Sequence, residues 1–309
     1  MVCAMAQGES AAPSRASLGA ALKRYFGFPS FREHQESIVT AILEGRDVFT
    51  ALPTGGGKSL CYQLPALLTG GLTVVVSPLI SLMKDQVDAA RENGIEAAFL
   101  NSSLTPEERN RTWTALRRGE VRLLYLAPER LSQPAFRSAL SELSVSLFGV
   151  DEAHCISEWG HEFRADYRTL GTLRDDFPGV PIAAFTATAT TQVQDDVIRE
   201  LRLEDPFVVR ASFDRSEISY AVVRKDNVER QILDFVRAHH GEPGIVYRSS
   251  RKSVEKTADR LAASGIRAVA YHAGLEDDDR RSRQEAFVRD EVEVVVATIA
   301  FGMGIDKSN

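Results

Sequence analysis

The stretch Val145-Ser-Leu-Phe-Gly-Val-Asp-Glu-Ala-His154 joins a short apolar run to a pair of carboxylates. Residues 145–150 are mostly apolar and uncharged, which predicts a buried strand. Because Asp151 and Glu152 follow directly, they would lie at the carboxyl end of that strand, where open α/β sheets bind their ligands. A carboxylate pair in this place can hold Mg²⁺ and orient a water molecule against a γ-phosphate. A solvated acidic turn is the alternative when the stretch is taken alone.

A second stretch, Leu52-Pro-Thr-Gly-Gly-Gly-Lys-Ser59, has the composition of a phosphate-binding loop. It lies between a predicted strand and a helix predicted over residues 60–68, so backbone N–H groups could surround phosphate oxygens at a helix N-terminus. The expected nucleotide contacts are Thr54, Gly55, Gly56, Gly57, Lys58 and Ser59. Lys58 would reach the β- and γ-phosphates, and Ser59 would ligate Mg²⁺. The usual motif has Gly or Ala where this chain has Leu52, and an ordinary glycine-rich turn is the alternative.

Both stretches follow predicted strands, and together they predict a site that hydrolyses ATP with Mg²⁺. Lys58 and the acid pair would be its catalytic groups. Asp151 would bind Mg²⁺, usually through water, and Glu152 would polarise the attacking water. We favour a relay position for His154, between the acid pair and Thr186-Ala-Thr188, over a purely structural histidine.

Short β-branched runs alternate with longer amphipathic segments from about Ser17 onward. The strands predicted in the first set are 47–52, 72–77, 97–100, 122–126, 145–150 and 181–186. Helix-like segments lie between them at 79–93 and 106–118, and Thr105 is a predicted cap before a proline and two acids. Strands that alternate with helices predict an α/β fold with a parallel sheet covered on both faces.

A second βαβ set follows residue 210. Its predicted elements are strands 244–247, 268–271 and 292–297 and helices 251–263 and 277–288. The second set is shorter than the first, with about three strands against about six. We therefore predict a disordered tail over residues 1–16, an ATP-binding domain over 17–209 and a partial second domain over 210–309.

Composition limits the classes to which the chain can belong. Its net charge is −6, with 44% hydrophobic and 26% charged residues, which is typical of a soluble globular protein. Nucleic-acid binding would therefore be confined to a groove. Cys3, Cys61 and Cys155 are far apart and form no zinc motif, which favours a reducing compartment and no zinc site. We expect no signal peptide, because residues 1–16 lack a basic start and a long apolar segment. We expect no membrane segment, because the longest apolar run, near residues 73–83, is short and broken by Pro78.

The residues after the acid pair alternate aromatic and cationic side chains. Trp159, Phe163 and Tyr167 lie among His161 and Arg164. Aromatic faces on which bases stack and cations that meet phosphates are what single-stranded nucleic acid requires. Core packing is the alternative for these aromatics, and the polarity of the surrounding loop argues against it.

These motifs together resemble the catalytic core of RecQ-type ATP-dependent DNA helicases, in superfamily 2, over about residues 18–309. The resembling stretches are 22–35, 77–86, 126–131, 157–167, 186–190, 245–251, 270–275 and 296–306. In the motif over 245–251, the family more often has Cys and Asn where this chain has Arg248 and Ser249. The resemblance implies two RecA-like parallel-sheet domains in tandem, the second incomplete.

The resemblance also implies roles for individual residues. Phe28 would stack on adenine, while Arg32 and Gln35 would contact the adenine edge and its surroundings. The residues implied in sensing single-stranded DNA and coupling it to hydrolysis are Trp159, His161, Phe163, Arg164, Thr186 and Thr188.

The implied function is ATP-driven, 3′-to-5′ unwinding of duplex DNA in DNA repair and recombination. The resemblance also implies a monomer, located in the cytoplasm at the nucleoid of a bacterium or in the nucleus of a eukaryote. The family's later motifs, including an arginine that completes the ATP site and a zinc-binding segment, would follow residue 309, so we expect weak activity from this chain alone. Two alternatives stay open. One is a nucleotide- and DNA-binding fragment without motor activity, and the other is an RNA helicase of the DEAD/DEAH kind.

Overall fold

The computed structural model describes residues 15–78, 80–101, 104–160, 163–212, 218–298 and 301. The chain divides into two compact units, Met1–Ser216 and Glu217–Asn309. A disordered tail is predicted over residues 1–16, of which residues 1–14 lie outside the described residues. The prediction is wrong for residues 15 and 16, because the first helix begins at Arg15. His161 also lies outside the described residues.

The first unit is built on a sheet that has seven strands within the described residues. They are β1 (Val48–Ala51), β2 (Leu72–Val76), β3 (Ala97–Leu100), β4 (Leu123–Leu126), β5 (Val145–Val150), β6 (Ile182–Thr186) and β7 (Phe207–Arg210). Their order is β3-β4-β2-β5-β6-β1-β7, and every neighbouring pair is parallel. Because β5, β6 and β1 are neighbours, the segments that follow these three strands emerge side by side at one edge of the sheet.

Helices cover both faces of this sheet. They are α1 (Arg15–Phe26), α2 (Gln35–Leu43), α3 (Lys58–Leu68), α4 (Ile80–Glu92), α5 (Pro106–Arg117), α6 (Pro128–Leu131), α7 (Pro134–Ser141), α8 (Ala165–Arg168), α9 (Leu173–Asp176) and α10 (Thr191–Glu200). Apolar side chains of α2, α3 and α4 pack on one face, and those of α5, α7 and α10 pack on the other. Within β5, Leu147 and Phe148 enter opposite layers, as strand alternation requires.

Local sequence explains the start of α5. Thr105 accepts a hydrogen bond from the backbone N–H of Glu108, and the Glu108 carboxylate accepts one from the N–H of Thr105 at 2.8 Å. This reciprocal pair satisfies two backbone donors that a helix N-terminus leaves without partners. The predicted cap is therefore confirmed.

Strand β7 is absent from the six strands that the sequence analysis predicts. It lies at the edge of the sheet, where Val208 and Arg210 are exposed, so its sequence lacks the apolar run of a buried strand. It extends to Arg210, across the predicted boundary between residues 209 and 210.

The second unit has a parallel sheet of three strands within the described residues, in the order β8-β10-β9. Its elements are α11 (Val228–Ala238), β8 (Gly244–Tyr247), α12 (Arg251–Ala263), β9 (Ala268–Tyr271), α13 (Asp277–Val288) and β10 (Val294–Ala297). Val254 and Leu261 of α12 pack against Val294 and Val296 of β10. The predicted α/β class, with a smaller second parallel-sheet domain, is confirmed. None of the helices in the described ranges is long and apolar enough to cross a membrane.

Candidate nucleotide site and nucleic-acid interface

The glycine-rich loop connects β1 to α3 and requires glycine for steric reasons. Gly55 and Gly57 have φ values of +81° and +76°, in the left-handed region that favours glycine. At Gly56, an added Cβ would lie 2.9 Å from the carbonyl oxygen of Pro53. The loop is therefore a backbone cradle at the N-terminus of α3, with room for phosphate oxygens where side chains would otherwise lie.

Two residues expected near adenine hold this loop. The Gln35 side-chain amide donates to the carbonyl of Gly57 at 3.2 Å and accepts from the backbone N–H of Arg32 at 2.9 Å. The Arg32 guanidinium donates to the carbonyl of Gly55. Phe28 lies in the segment before them and is 48% exposed, so its ring face is available for stacking. Contact of these three side chains with adenine stays a prediction.

The charge of Lys58 acts on Asp151 at the edge of the sheet. The Lys58 ammonium group lies 3.4 Å from the carbonyl oxygen of Leu52. Burial raises the pKa of Asp151, while the positive charge of Lys58 and the hydrogen bond from the Glu152 N–H partly offset this rise. Leu52 itself is buried in the core, which accounts for a larger side chain at the position where the usual motif has Gly or Ala.

The acid pair continues directly from β5. The Asp151 N–H donates to the carbonyl of Val76 at 2.9 Å, which extends the pairing with β2 by one residue. Glu152 then adopts a left-handed conformation with φ of +47°, an unusual one for a residue other than glycine. Glu152 is the N-cap of a short 3₁₀ helix over Ala153–Ile156, so the chain leaves the strand direction directly after Asp151.

Tyr167 does not belong to the exposed aromatic set. It is fully buried, and its hydroxyl donates to the carbonyl of Asp151 at 2.9 Å. The expectation that it serves as a stacking face is wrong, because α8 turns this side chain into the core beneath the acid pair.

His154 lies between the acid pair and the segment after β6. Its Nδ1 atom is 2.9 Å from the hydroxyl oxygen of Thr186 and 3.3 Å from a carboxylate oxygen of Glu152. The Thr186 hydroxyl donates to the carbonyl of Thr188 at 3.0 Å, so it acts as an acceptor toward His154. Both neighbours of Nδ1 are thus acceptors, and we infer that Nδ1 bears the proton. The geometry matches the predicted location of His154, and its relay role stays a prediction.

Two aromatic side chains are exposed close to this network. Trp159 is 69% exposed and Phe163 is 39% exposed. The Arg168 guanidinium lies 5.2 Å from the centre of the Phe163 ring, a cation that the sequence analysis missed because it lies in α8 beyond the aromatic run. Arg164 donates to the carbonyl of Pro78 at 3.0 Å, which attaches this stretch to the segment after β2.

A cleft of about 330 Å³ opens between Trp159 and the segment after β6. Its lining includes His154, Trp159, Thr188 and Val193. One wall is therefore the exposed indole and another is the segment hydrogen-bonded to His154. A group stacked on Trp159 would lie next to the residue that contacts the acid pair.

Comparison with known proteins identifies the family. The profile described as DEAD/DEAH box helicase matches residues 32–197, and the profile described as helicase conserved C-terminal domain matches residues 226–309. The chain belongs to the DEAD/DEAH box helicase family.

Relatives of known name are of the RecQ type. The ATP-dependent DNA helicase RecQ of Pasteurella multocida is 50% identical over 288 residues, which cover 93% of this chain and 46% of the relative. The protein of the same name from Bacillus subtilis is 45% identical over 290 residues, which cover 93% and 49%. The predicted RecQ resemblance is confirmed, and the chain spans less than half the length of these two relatives.

Solved helicase structures share the fold. The DUF1998 helicase MrfA, bound to DNA and AMPPNP, aligns with a TM-score of 0.74 over 94% of this chain and 45% of that one. Its sequence identity is 18%, so this likeness concerns the fold alone. Together with the two family profiles, it confirms tandem RecA-like domains, of which the second is smaller here.

The residues of this helicase core fit a magnesium-bound nucleotide. Mg²⁺ typically takes one or two carboxylates and completes its shell with phosphate oxygens and water. Asp151 and Ser59 offer such a set beside the glycine cradle. Within the described ranges, no three His, Cys, Asp or Glu side chains cluster so that they could hold a metal. Cys61 and Cys155 are buried thiols, and Cys3 lies outside those ranges.

Arg248 in the second unit has a structural partner. Its guanidinium donates to the Glu229 carboxylate at 2.9 Å, and both side chains are largely buried. The Thr257 hydroxyl lies 3.3 Å from the same carboxylate. The ion pair attaches α11 to the end of β8.

Proposed function

We propose that this chain is the catalytic core of an ATP-dependent DNA helicase that couples ATP hydrolysis to 3′-to-5′ movement along single-stranded DNA and to duplex unwinding. The place of action would be DNA repair and recombination. Support comes from three neighbouring strands, β1, β6 and β5, each followed by one functional segment. The two relatives reported above are ATP-dependent DNA helicases, which favours DNA over RNA as the substrate.

In this proposal, the backbone N–H groups of residues 55–57 and the Lys58 ammonium group bind the triphosphate. Mg²⁺ held by Ser59 and Asp151 would supply positive charge between the phosphate oxygens. Glu152 accepts a hydrogen bond from the attacking water and orients it toward the γ-phosphorus. Glu152 contacts His154, whereas Asp151 experiences the charge of Lys58, so the two acids have different neighbours.

Single-stranded DNA would engage Trp159 and Phe163. Each is an exposed aromatic ring, and stacking of a base on such a ring contributes about 1–3 kcal/mol. Arg168, which lies over Phe163 and donates to the Glu158 carboxylate at 2.7 Å, would offer a cation to the DNA phosphates. Because the net charge of the chain is −6, this interface is local and does not extend over the whole surface.

One observation supports the coupling most directly. His154 contacts the acid pair through Glu152 and the cleft segment through Thr186, and it also lines the cleft beside Trp159. A single buried side chain therefore touches both the groups assigned to hydrolysis and those assigned to DNA.

The test is the affinity of the chain for single-stranded DNA and RNA oligonucleotides of one sequence, measured by fluorescence anisotropy. We expect tighter binding to DNA and a roughly 5- to 150-fold loss in Trp159→Ala, because one stacked base is lost. Tyr220→Ala removes an aromatic ring that is 81% exposed in the second unit, and it serves as the control. Preference for RNA, or equal losses in the two variants, would contradict the assignment.

A nucleotide- and DNA-binding unit without unwinding activity is the second candidate. The chain spans 46% and 49% of the lengths of the two relatives reported above. In related enzymes, an arginine that stabilises the transition-state charge on the γ-phosphate raises the rate about 10³–10⁵-fold. A strand-displacement assay separates the candidates, since only the first gives ATP-dependent unwinding. We further propose a monomer that acts in the bacterial cytoplasm or the eukaryotic nucleus.

A further inference from the structure

Two buried side chains that none of the assigned roles uses connect the aromatic stretch to helix α10. The Ser157 hydroxyl donates to the Asp196 carboxylate at 2.7 Å. Ser157 is 1% exposed and Asp196 is 8% exposed, so water competes little for this bond. The two residues are 39 positions apart in the chain. Their bond therefore links two separate segments of the site.

On the side of the aromatic stretch, Ser157 lies in the turn before Trp159, which backbone hydrogen bonds close. Its hydroxyl oxygen accepts from the backbone N–H of Trp159 at 3.2 Å, and its carbonyl accepts from Gly160 at 3.0 Å. Its own N–H donates to the carbonyl of His154 at 3.2 Å. Ser157 thus contacts the residue that would stack on DNA and the residue that contacts the acid pair.

On the other side, Asp196 lies in the helix that follows the threonine segment. Helix α10 begins after Thr190, whose hydroxyl caps it, two residues beyond Thr188. The hydrogen bond from Ser157, together with contacts to Arg199, holds the pKa of Asp196 below its usual range, so the carboxylate is charged at neutral pH. A displacement of Ser157 would therefore be transmitted to α10 through this hydrogen bond.

The energetics identify Ser157 as the important partner of Asp196. A buried carboxylate that loses its hydrogen bonds has a high desolvation cost. Arg199 also contacts Asp196, at 2.5 Å, but its side chain is 64% exposed, and an exposed partner contributes little. The bond to Ser157 is short, buried and accepted by a charged group, which places it among the stronger classes of hydrogen bond.

We propose that Ser157 and Asp196 are positioning residues that transmit the engagement of Trp159 by single-stranded DNA to α10 and so to the Thr186–Thr188 segment at the ATP site. This inference rests on the proposed function. In this arrangement Trp159 and α10 move as one body, because the Ser157 hydroxyl is bonded to both. Without that hydroxyl, each ligand still finds its own contacts, but binding of one no longer alters the surroundings of the other.

The test is thermodynamic linkage between the two ligands. The affinity for a fluorescent, non-hydrolysable ATP analogue with Mg²⁺ is measured with and without saturating single-stranded DNA. For the parent chain we expect DNA to change this affinity by roughly 5- to 150-fold, the usual range of allosteric coupling. Ser157→Ala should reduce the factor to near one, while the separate affinity for each ligand stays within about twofold of the parent value.

Asp196→Asn provides a second variant, because it keeps an acceptor for Ser157 and loses only the charge. We expect it to retain part of the linkage and the parent fold. Asp195→Asn is the matched control on the same helix, since Asp195 is exposed, and it should keep the full linkage factor.

Full linkage in Ser157→Ala would overturn the proposal, as would a parent that binds both ligands without any linkage. A Ser157→Ala variant that loses DNA affinity in the absence of nucleotide would mark Ser157 as a packing residue of the turn and also overturn it. Failure of the parent to bind the analogue or DNA at all is a different result, because it removes the proposed function itself.

Discussion

At the scale of single residues, the proton inferred on Nδ1 of His154 can be donated in a hydrogen bond to either Thr186 or Glu152. With the proton on Nδ1, the imidazole can donate to Thr186 at 2.9 Å or to Glu152 at 3.3 Å. A small movement of either acceptor changes which bond is better aligned. Because Glu152 is assigned to the attacking water, His154 can report the state of the threonine segment to the carboxylate that orients it.

Glu152→Gln tests this assignment. The amide oxygen of glutamine can still accept from His154, so the local structure and the affinity for Mg²⁺ with ATP should stay within about twofold. Turnover should fall by at least roughly 100-fold, because a neutral amide polarises water poorly. Phosphate release and nucleotide binding are measured in parallel. Glu120→Gln, at an exposed position, is the control. Turnover equal to that of the parent would remove Glu152 from the mechanism.

At the scale of elements, the turn over residues 157–160 depends on close backbone packing. A Cβ added at Gly160 would overlap the carbonyl oxygen of His154 and lie 3.1 Å from that of Ser157. Both neighbours are backbone atoms, which cannot rotate away as a flexible side chain can. The glycine therefore fixes the distance between the His154 helix and the exposed indole of Trp159.

Gly160→Ala should destabilise the first unit by about 1–3 kcal/mol, as overpacking usually does. The free energy of unfolding is measured by urea titration with tryptophan fluorescence. Gly19→Ala is the matched control, because Gly19 lies in α1 with no atom within 4 Å of an added Cβ. Alanine favours a helix, so the control should be neutral or slightly stabilising. A Gly160→Ala variant as stable as the parent would show that the turn can relax.

Elements with strong local patterns could be predicted from the sequence. The strand bounds 97–100, 145–150, 244–247 and 268–271 agree with the structure, since each is a short apolar run between turn residues. The edge strand β7 lacks that pattern, and Tyr167 lies in a polar stretch although α8 buries it. Contacts such as the one between Ser157 and Asp196 leave no trace in periodicity, because they join side chains far apart in the chain.

The same distinction applies to the candidate site. The cradle, the acid pair and the aromatic pair follow from motifs, because each motif is continuous in sequence. The attachment of Gln35 to Gly57 and the stacking of Arg168 on Phe163 depend on how loops approach each other. Such approaches are decided by tertiary packing, which propensity and spacing do not encode.

At the scale of the whole molecule, each unit has a core of its own, and the second depends on a buried carboxylate. Glu293 precedes β10 and accepts hydrogen bonds from the N–H of Gly241 at 2.7 Å and from His240 at 3.1 Å. The bond from Gly241, aided by His240, holds the pKa of Glu293 below its usual range. A carboxylate whose pKa is lower in the folded state than in the unfolded state stabilises the fold. This contribution is fully present at pH values above the unfolded-state pKa and is lost as the pH falls through the folded-state pKa.

The stability of the second unit should therefore decrease as the pH falls below the usual range of a glutamate. Glu293→Gln should cost roughly 1 kcal/mol at neutral pH and weaken this acid dependence. Hydrogen exchange of the amides in β8 and β10, measured across pH, follows the second unit specifically. Glu291→Gln is the control, because Glu291 is exposed. An identical acid dependence in Glu293→Gln and the parent would assign the effect to other groups.

The central claim is that the cradle before α3 binds Mg²⁺ with ATP through Lys58, and isothermal titration calorimetry with a non-hydrolysable ATP analogue tests it most directly. Charge-assisted hydrogen bonds contribute about 1.5–3 kcal/mol, so Lys58→Ala should weaken binding roughly 10- to 100-fold. Lys23→Ala, which removes an exposed lysine from α1, should bind like the parent. One binding site in the parent with this loss in Lys58→Ala is the predicted result. A parent that binds no nucleotide, or a Lys58→Ala variant with parental affinity, would contradict it.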